Sequence, residues 1–174
     1  MKPENQIKYE HVLIALGANL PSRFGTPLQT LEVAVREIES KVLKIVRRSR
    51  WYRSEPVPVS SQDWYINGVI SVETELGPEA LLALLHEIED QFGRERGERN
   101  AARVLDLDLV AYGRLVRVGE GAPEVPHPRM HERAFVLLPM VDIAPDWLHP
   151  VTGIPLAELV KAIPDDQIAE PLEA

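Results

Sequence analysis

The 174-residue chain is 45% hydrophobic and 26% charged, has a formal net charge of −8 and contains no cysteine. That balance describes a globular protein of one domain and excludes disulfides, thiolate catalysis and Cys-ligated zinc. The acidic excess argues against a general nucleic-acid binder, and no apolar run approaches the ~18 residues of a membrane span, so a cytoplasmic protein is expected; a monomer is expected as well.

A single domain is expected over 1–174, with flexible ends at 1–10 and 165–174. Residues 12–16, VLIAL, read as a buried strand that runs into a turn at Gly17. Thr26-Pro27-Leu28-Gln29 carries a helix start, with Thr26 as N-cap and Gln29 closing a capping box; Leu28, Leu31, Val35 and Ile38 follow at helical spacing. LKIVRRSRWYRS predicts an Arg-rich strand, ended by the loop that holds Pro56 and Pro58. Strict alternation over 66–74 predicts a half-buried strand. Gly77-Pro78 then opens a second helix with the stripe Leu81, Leu84, Leu85, Ile88 and Phe92, stopped at Gly93. After the charged loop RERGERNAAR comes the strand LDLDLV, and VAYGRLVRV predicts a hairpin turning at Gly113-Arg114. Short helices are expected around 132–141 and 156–163. The order strand, helix, strand, strand, helix, strand is that of an α+β, ferredoxin-like antiparallel sheet with both helices on one face and an appended C-terminal region.

Side chains on a strand alternate faces at ~3.3 Å per residue, so Asp106 and Asp108 point the same way roughly 6.6 Å apart, with Leu105, Leu107 and Leu109 opposite. Two carboxylates so held suit hard cations such as Mg²⁺ that also carry substrate phosphates. A solvated face or a pair of salt bridges is the plain alternative. Two basic groups bracket the pair: Arg94, Arg96, Arg99 and Arg103 before it, and His127, Arg129, His131 and Arg133 after it. Arginine forks match phosphate oxygens, so the arrangement reads as a polyphosphate site or as charged surface. His86 and His11 fit structural roles. No Walker A loop, GxGxxG or HExxH is present. Trp51, Tyr52, Trp64, Tyr65, Asn67 and Phe135 offer flat faces and an amide suited to a planar heterocycle, or else pack in the core; Asn67, polar within an apolar strand, needs a partner.

Four segments, IALGANL, WYRSEPV with DWYINGVISVET, GRERGERNAARVLDLDLVAYG and VPHPRMHERAFVLLPMVDIAP, together resemble the 6-hydroxymethyl-7,8-dihydropterin pyrophosphokinases of folate biosynthesis. The resemblance implies transfer of a pyrophosphoryl unit from ATP to the pterin hydroxymethyl group. It implies Asp106 and Asp108 as ligands of two Mg²⁺ ions. It places Arg94, Arg103, His127 and Arg133 on the triphosphate, Glu89 and Leu109 near the nucleotide, and Arg94, Arg103, Asp106 and Asp108 in catalysis. The pterin pocket falls to Ser54, Val57, Tyr65, Asn67 and Phe135, with Phe135 stacking on the ring. Asn100 and Ala102 stand where many members have Trp and Pro, and Pro128 where some have Tyr. A catalytically silent pterin- or nucleotide-binding module and an RNA-binding domain of the same topology are the readings from other classes.

Overall fold

The computed structural model describes residues 12–41, 43–121 and 123–173; the expected flexible N-terminus over 1–10 and His11 lie outside them. In chain order the elements are β1 (Val12–Ala18), α1 (Pro27–Ser40), β2 (Lys44–Arg48), β3 (Tyr52–Ser54), β4 (Tyr65–Glu73), α2 (Pro78–Gln91), β5 (Asp106–Tyr112), a 3₁₀ turn (Met130–Glu132), α3 (Ala134–Ile143), α4 (Leu156–Lys161) and β6 (Ala169–Pro171). The sheet is antiparallel in the order β5-β1-β4-β3-β6, and β2 pairs with β4 beyond β3. With β2 and β3 together forming the second strand, this is the ferredoxin-like plan.

Local chemistry explains the elements. Thr26 and Gln29 cap α1 reciprocally, the Thr26 side chain accepting from the Gln29 backbone and Gln29 Oε1 accepting from Thr26 N at 2.9 Å. Gly93 ends α2 at φ +84°, the left-handed region where a glycine costs least. β1 is buried throughout because it is central in the sheet and covered on both sides. One face packs Ile14, Leu16, Leu107 and Leu109 against Leu31, Ile38, Leu85 and Ile88 of α1 and α2. The other packs Leu13, Val69 and Val110 against Leu137, Met140 and Trp147 of the α3–α4 region.

That second layer corrects one expectation. β4 is not half-buried: Asn67, Val69 and Ser71 are buried as well as Gly68, Ile70 and Val72, because α3 covers the face that alternation assigned to solvent. The predicted hairpin after Gly113 is also corrected. Arg117 bridges to Val125 instead of pairing back on β5, and His127 N donates to Val110 O at 2.8 Å, so the edge of β5 is met by the His127 segment. Residues 169–171, expected within a flexible tail, pair with β3 as a strand, and Leu172 N donates to Trp51 O at 2.8 Å. Among the described residues no helix is long and apolar enough to cross a membrane.

Candidate active site

Cross-strand partners in an antiparallel sheet share a face, so register decides what the end of the sheet presents. Asp106 pairs with Gly17 and Asp108 with Ala15; Gly17 in turn pairs with Asn67. Two small residues on the central strand therefore separate a carboxylate row from an amide, on the face that α3 covers farther along. The gap is a cavity of about 510 Å³. Its lining includes Asp106, Asp108, Arg103, His127 and Arg133 on one side and Ser54, Val57, Tyr65, Asn67 and Phe135 on the other. Ten of the predicted site residues thus meet in one space.

The acidic end is strongly compensated. Asp106 Oδ1 accepts from Arg94 Nη1 at 2.9 Å and from Arg103 Nη1 at 3.0 Å. Burial, and then the neighbouring Asp106 charge, push the Asp108 carboxyl up to about 6, against the attraction of Arg133, Arg94 and Arg103. Burial also presses Arg94 and Arg133 down from the usual guanidinium range, opposed chiefly by Asp106 and by Asp108 respectively. His127 is held below the ordinary imidazole value by burial and by Arg133. Its Nδ1 accepts from Arg129 N at 3.1 Å, which leaves the neutral ring with its proton on Nε2.

At the opposite end, Asn67 Nδ2 donates to Ser54 Oγ at 2.5 Å, so the buried amide finds the partner its position demands. Phe135 carries the Arg133 guanidinium over its ring at 5.5 Å from the centroid. Tyr65 donates to Ala101 O at 3.3 Å and is raised in pKa by burial.

Other predicted residues sit elsewhere. Glu89 is fully buried behind the cavity wall, where it pairs with Arg94 and its Oε2 accepts from Leu107 N at 3.0 Å. Glu89 thus contacts the arginine that reaches Asp106. Leu109 lines an adjoining cavity of about 440 Å³ that shares Asp108, His127 and Pro128 with the first. Arg99 and Arg129 line the main cavity, whereas Arg96 pairs with Asp90 at 3.2 Å. His131 packs edge-on against His149, and the Tyr52 hydroxyl lies at the Asp142 carboxylate beneath α3. Trp51 donates to Glu32 and Trp64 lies under Arg53.

A sequence model of the 7,8-dihydro-6-hydroxymethylpterin-pyrophosphokinase family matches residues 13–145. The chain belongs to this family. Among curated members of the pyrophosphokinase family, the 2-amino-4-hydroxy-6-hydroxymethyldihydropteridine pyrophosphokinase of Haemophilus influenzae is 38% identical over 156 residues, covering 89% of this chain and 94% of that protein. The folic acid synthesis protein fol1 of Pneumocystis carinii is 39% identical over 168 residues, 97% of this chain, but the chain spans only 22% of its length. The fold is similar to that of the Plasmodium falciparum HPPK-DHPS crystal structure with SDX-DHP, at a TM-score of 0.68 and 14% identity over 86% of this chain and 43% of that one.

Sequence reasoning missed two residues that tie this cavity together. Asn19 is buried; its Oδ1 accepts from Arg103 N at 2.8 Å, while its Nδ2 donates to Gln62 Oε1 and Asp63 O at 3.1 Å. Gln62 Nε2 reaches on to Asn100 O at 2.8 Å. The pair ties the end of β1 to both loops of the cavity. A signal existed for Asn19, an amide directly after a buried strand, but nothing in its spacing named its partners. Asn100 adopts φ +63°, a left-handed conformation that asparagine tolerates better than bulky residues do.

Proposed function

We propose that the chain transfers the pyrophosphoryl group of ATP to the hydroxyl of 6-hydroxymethyl-7,8-dihydropterin, releasing AMP and the pterin diphosphate, in the cytoplasm and as a monomer. The observation that carries this reading is one cavity with carboxylates, guanidiniums and an imidazole at one end and an amide, a phenol and a phenyl ring at the other. A polyphosphate and a flat heterocycle would meet at the boundary between them.

Whether the carboxylates fit Mg²⁺ is a matter of donor chemistry. Among the described residues no third carboxylate, imidazole or thiolate completes a metal-binding group with them. Two oxygen donors with the rest of the shell left to phosphate and water are what Mg²⁺ accepts. Burial, and then the Asp106 charge, raise the Asp108 carboxyl, and a cation held between the two carboxylates would offset both. Asp106 and Asp108 fit as ligands of two Mg²⁺ ions, which would supply charge neutralisation on the phosphates.

The chain's own residues do the rest. Arg94 and Arg103 would turn from Asp106 to phosphate oxygens, and Arg133 and His127 Nε2–H would add donors on the far side. Phe135 would stack on the pterin while the Asn67 amide, fixed on Ser54, bonds its edge. The nucleoside would extend into the adjoining cavity at Leu109, with Glu89 acting through Arg94. Positioning and charge stabilisation carry the reaction.

Arg103→Ala is the test. It is expected to slow AMP formation roughly 100-fold, as loss of a transition-state donor does, while pterin affinity stays within about twofold. A variant that loses pterin binding and keeps its turnover would overturn the assignment of Arg103 to phosphate.

A further inference from the structure

The cavity wall that carries Arg133 and Phe135 begins with a helix end that its own residues do not satisfy. The first N–H groups of a helix have no intrahelical acceptor, and Arg133, the N-cap of α3, makes no side-chain cap. The acceptor comes from 33 residues later in the chain. Gln167 Oε1 accepts from Ala134 N at 2.9 Å, and Gln167 Nε2 donates to Glu132 O at 2.7 Å. One half-buried amide therefore grips the backbone on both sides of Arg133.

The residues directly after Gln167 grip the opposite wall. Glu55 N donates to Ile168 O at 3.1 Å, Ala169 pairs with Ser54, Pro171 with Tyr52, and Leu172 N donates to Trp51 O at 2.8 Å. Ser54 is the residue on which Asn67 is fixed, and Glu55 lines the cavity. Six residues, 167–172, thus span the two walls between which a planar ligand would sit. All lie outside the stretch 13–145 that the family model matches.

We propose that Gln167 is a positioning residue for the pterin site: through Glu132 O and Ala134 N it holds Arg133 and Phe135 at the distance from the Ser54–Asn67 wall that a flat heterocycle requires. This rests on the function proposed above. It touches no substrate and acts on the height of the slot. The neighbouring strand β6 fixes the other wall, so the segment works as a strap whose two attachments set one dimension.

Gln167→Met keeps the length of the side chain and removes both hydrogen bonds. Its Kd for 6-hydroxymethyl-7,8-dihydropterin, measured by calorimetry on the full chain, is expected to rise roughly tenfold, with pterin KM following and kcat within about twofold. Gln167→Glu, which still accepts from Ala134 N but cannot donate to Glu132 O, should fall between wild type and Gln167→Met. Glu170→Ala, which removes only an exposed ion pair with Arg53, should match wild type in both constants. An unchanged pterin Kd in Gln167→Met would overturn the proposal. So would a fall in kcat at unchanged KM together with a lower melting temperature, since that pattern reports only a smaller folded fraction. Wild-type protein that binds pterin but forms no AMP would instead contradict the proposed function, and the Kd series would still decide the strap.

Discussion

Asp106 is surrounded by more positive charge than a lone carboxylate requires, with two guanidiniums within 3.0 Å of the same oxygen. Asp106→Ala is expected to lower AMP formation by more than ~100-fold while leaving circular dichroism unchanged, because the residue faces the cavity and not the core. Near-normal turnover would remove it from the proposed metal site. Asp108 allows a pH test. Its folded pKa, about 6, stands above the ordinary carboxylate value, so the folded protein holds more protons than the unfolded chain between about pH 4 and 6. Stability from this group is therefore present below that window and is lost as pH rises through it. Asp108→Asn should melt above wild type near neutral pH and lose that advantage near pH ~4, with activity abolished. Equal melting temperatures at neutral pH would show that the ionised carboxylate is not strained. The aspartate pair was legible from a period of two and a hydrophobic complement. Glu89 was legible as a position only; that it lies behind Arg94 depends on the packing of α2 against β5.

At the level of elements, the register of β1 makes the site. Gly17 lies between Asp106 and Asn67, and a Cβ built there would stand 2.9 Å from Asn67 Oδ1. Gly17→Ala should therefore displace the amide and weaken pterin binding roughly tenfold with little change in melting temperature. Calorimetry of pterin binding checks this, and an unchanged Kd would mean that the Asn67 rotamer is not part of recognition. α1 and α2 were readable in advance because a capping box opens the first, a glycine stops the second and both carry an apolar stripe. Alternation in β4 misled because it records composition, and Ser71 and Asn67 are buried by a helix more than 60 residues away in sequence. The hairpin after Gly113 failed for a related reason: the edge carbonyl of Val110 is taken by His127, a contact that no local pattern announces. The C-terminal segment looked like a tail because a three-residue strand carries no periodicity.

Across the whole molecule, a sheet clad on both faces leaves one open end, and the chain brings its loops there. The four-segment resemblance pointed to residues that meet in this cavity because its motifs lie at the strand ends and loops that converge on that opening. What it could not supply were the ties between them, Asn19 to Arg103, Gln62 to Asn100 and Gln167 to the start of α3, each a single amide with no spacing signature. The central claim is that the two ends of the cavity join a triphosphate to a pterin hydroxyl at the β-phosphorus. Phosphorus NMR of the protein with ATP, Mg²⁺ and 6-hydroxymethyl-7,8-dihydropterin tests it most directly. AMP and the pterin diphosphate appearing in equal amounts is the predicted result, whereas ADP with a pterin monophosphate, or an unchanged ATP spectrum, would contradict it.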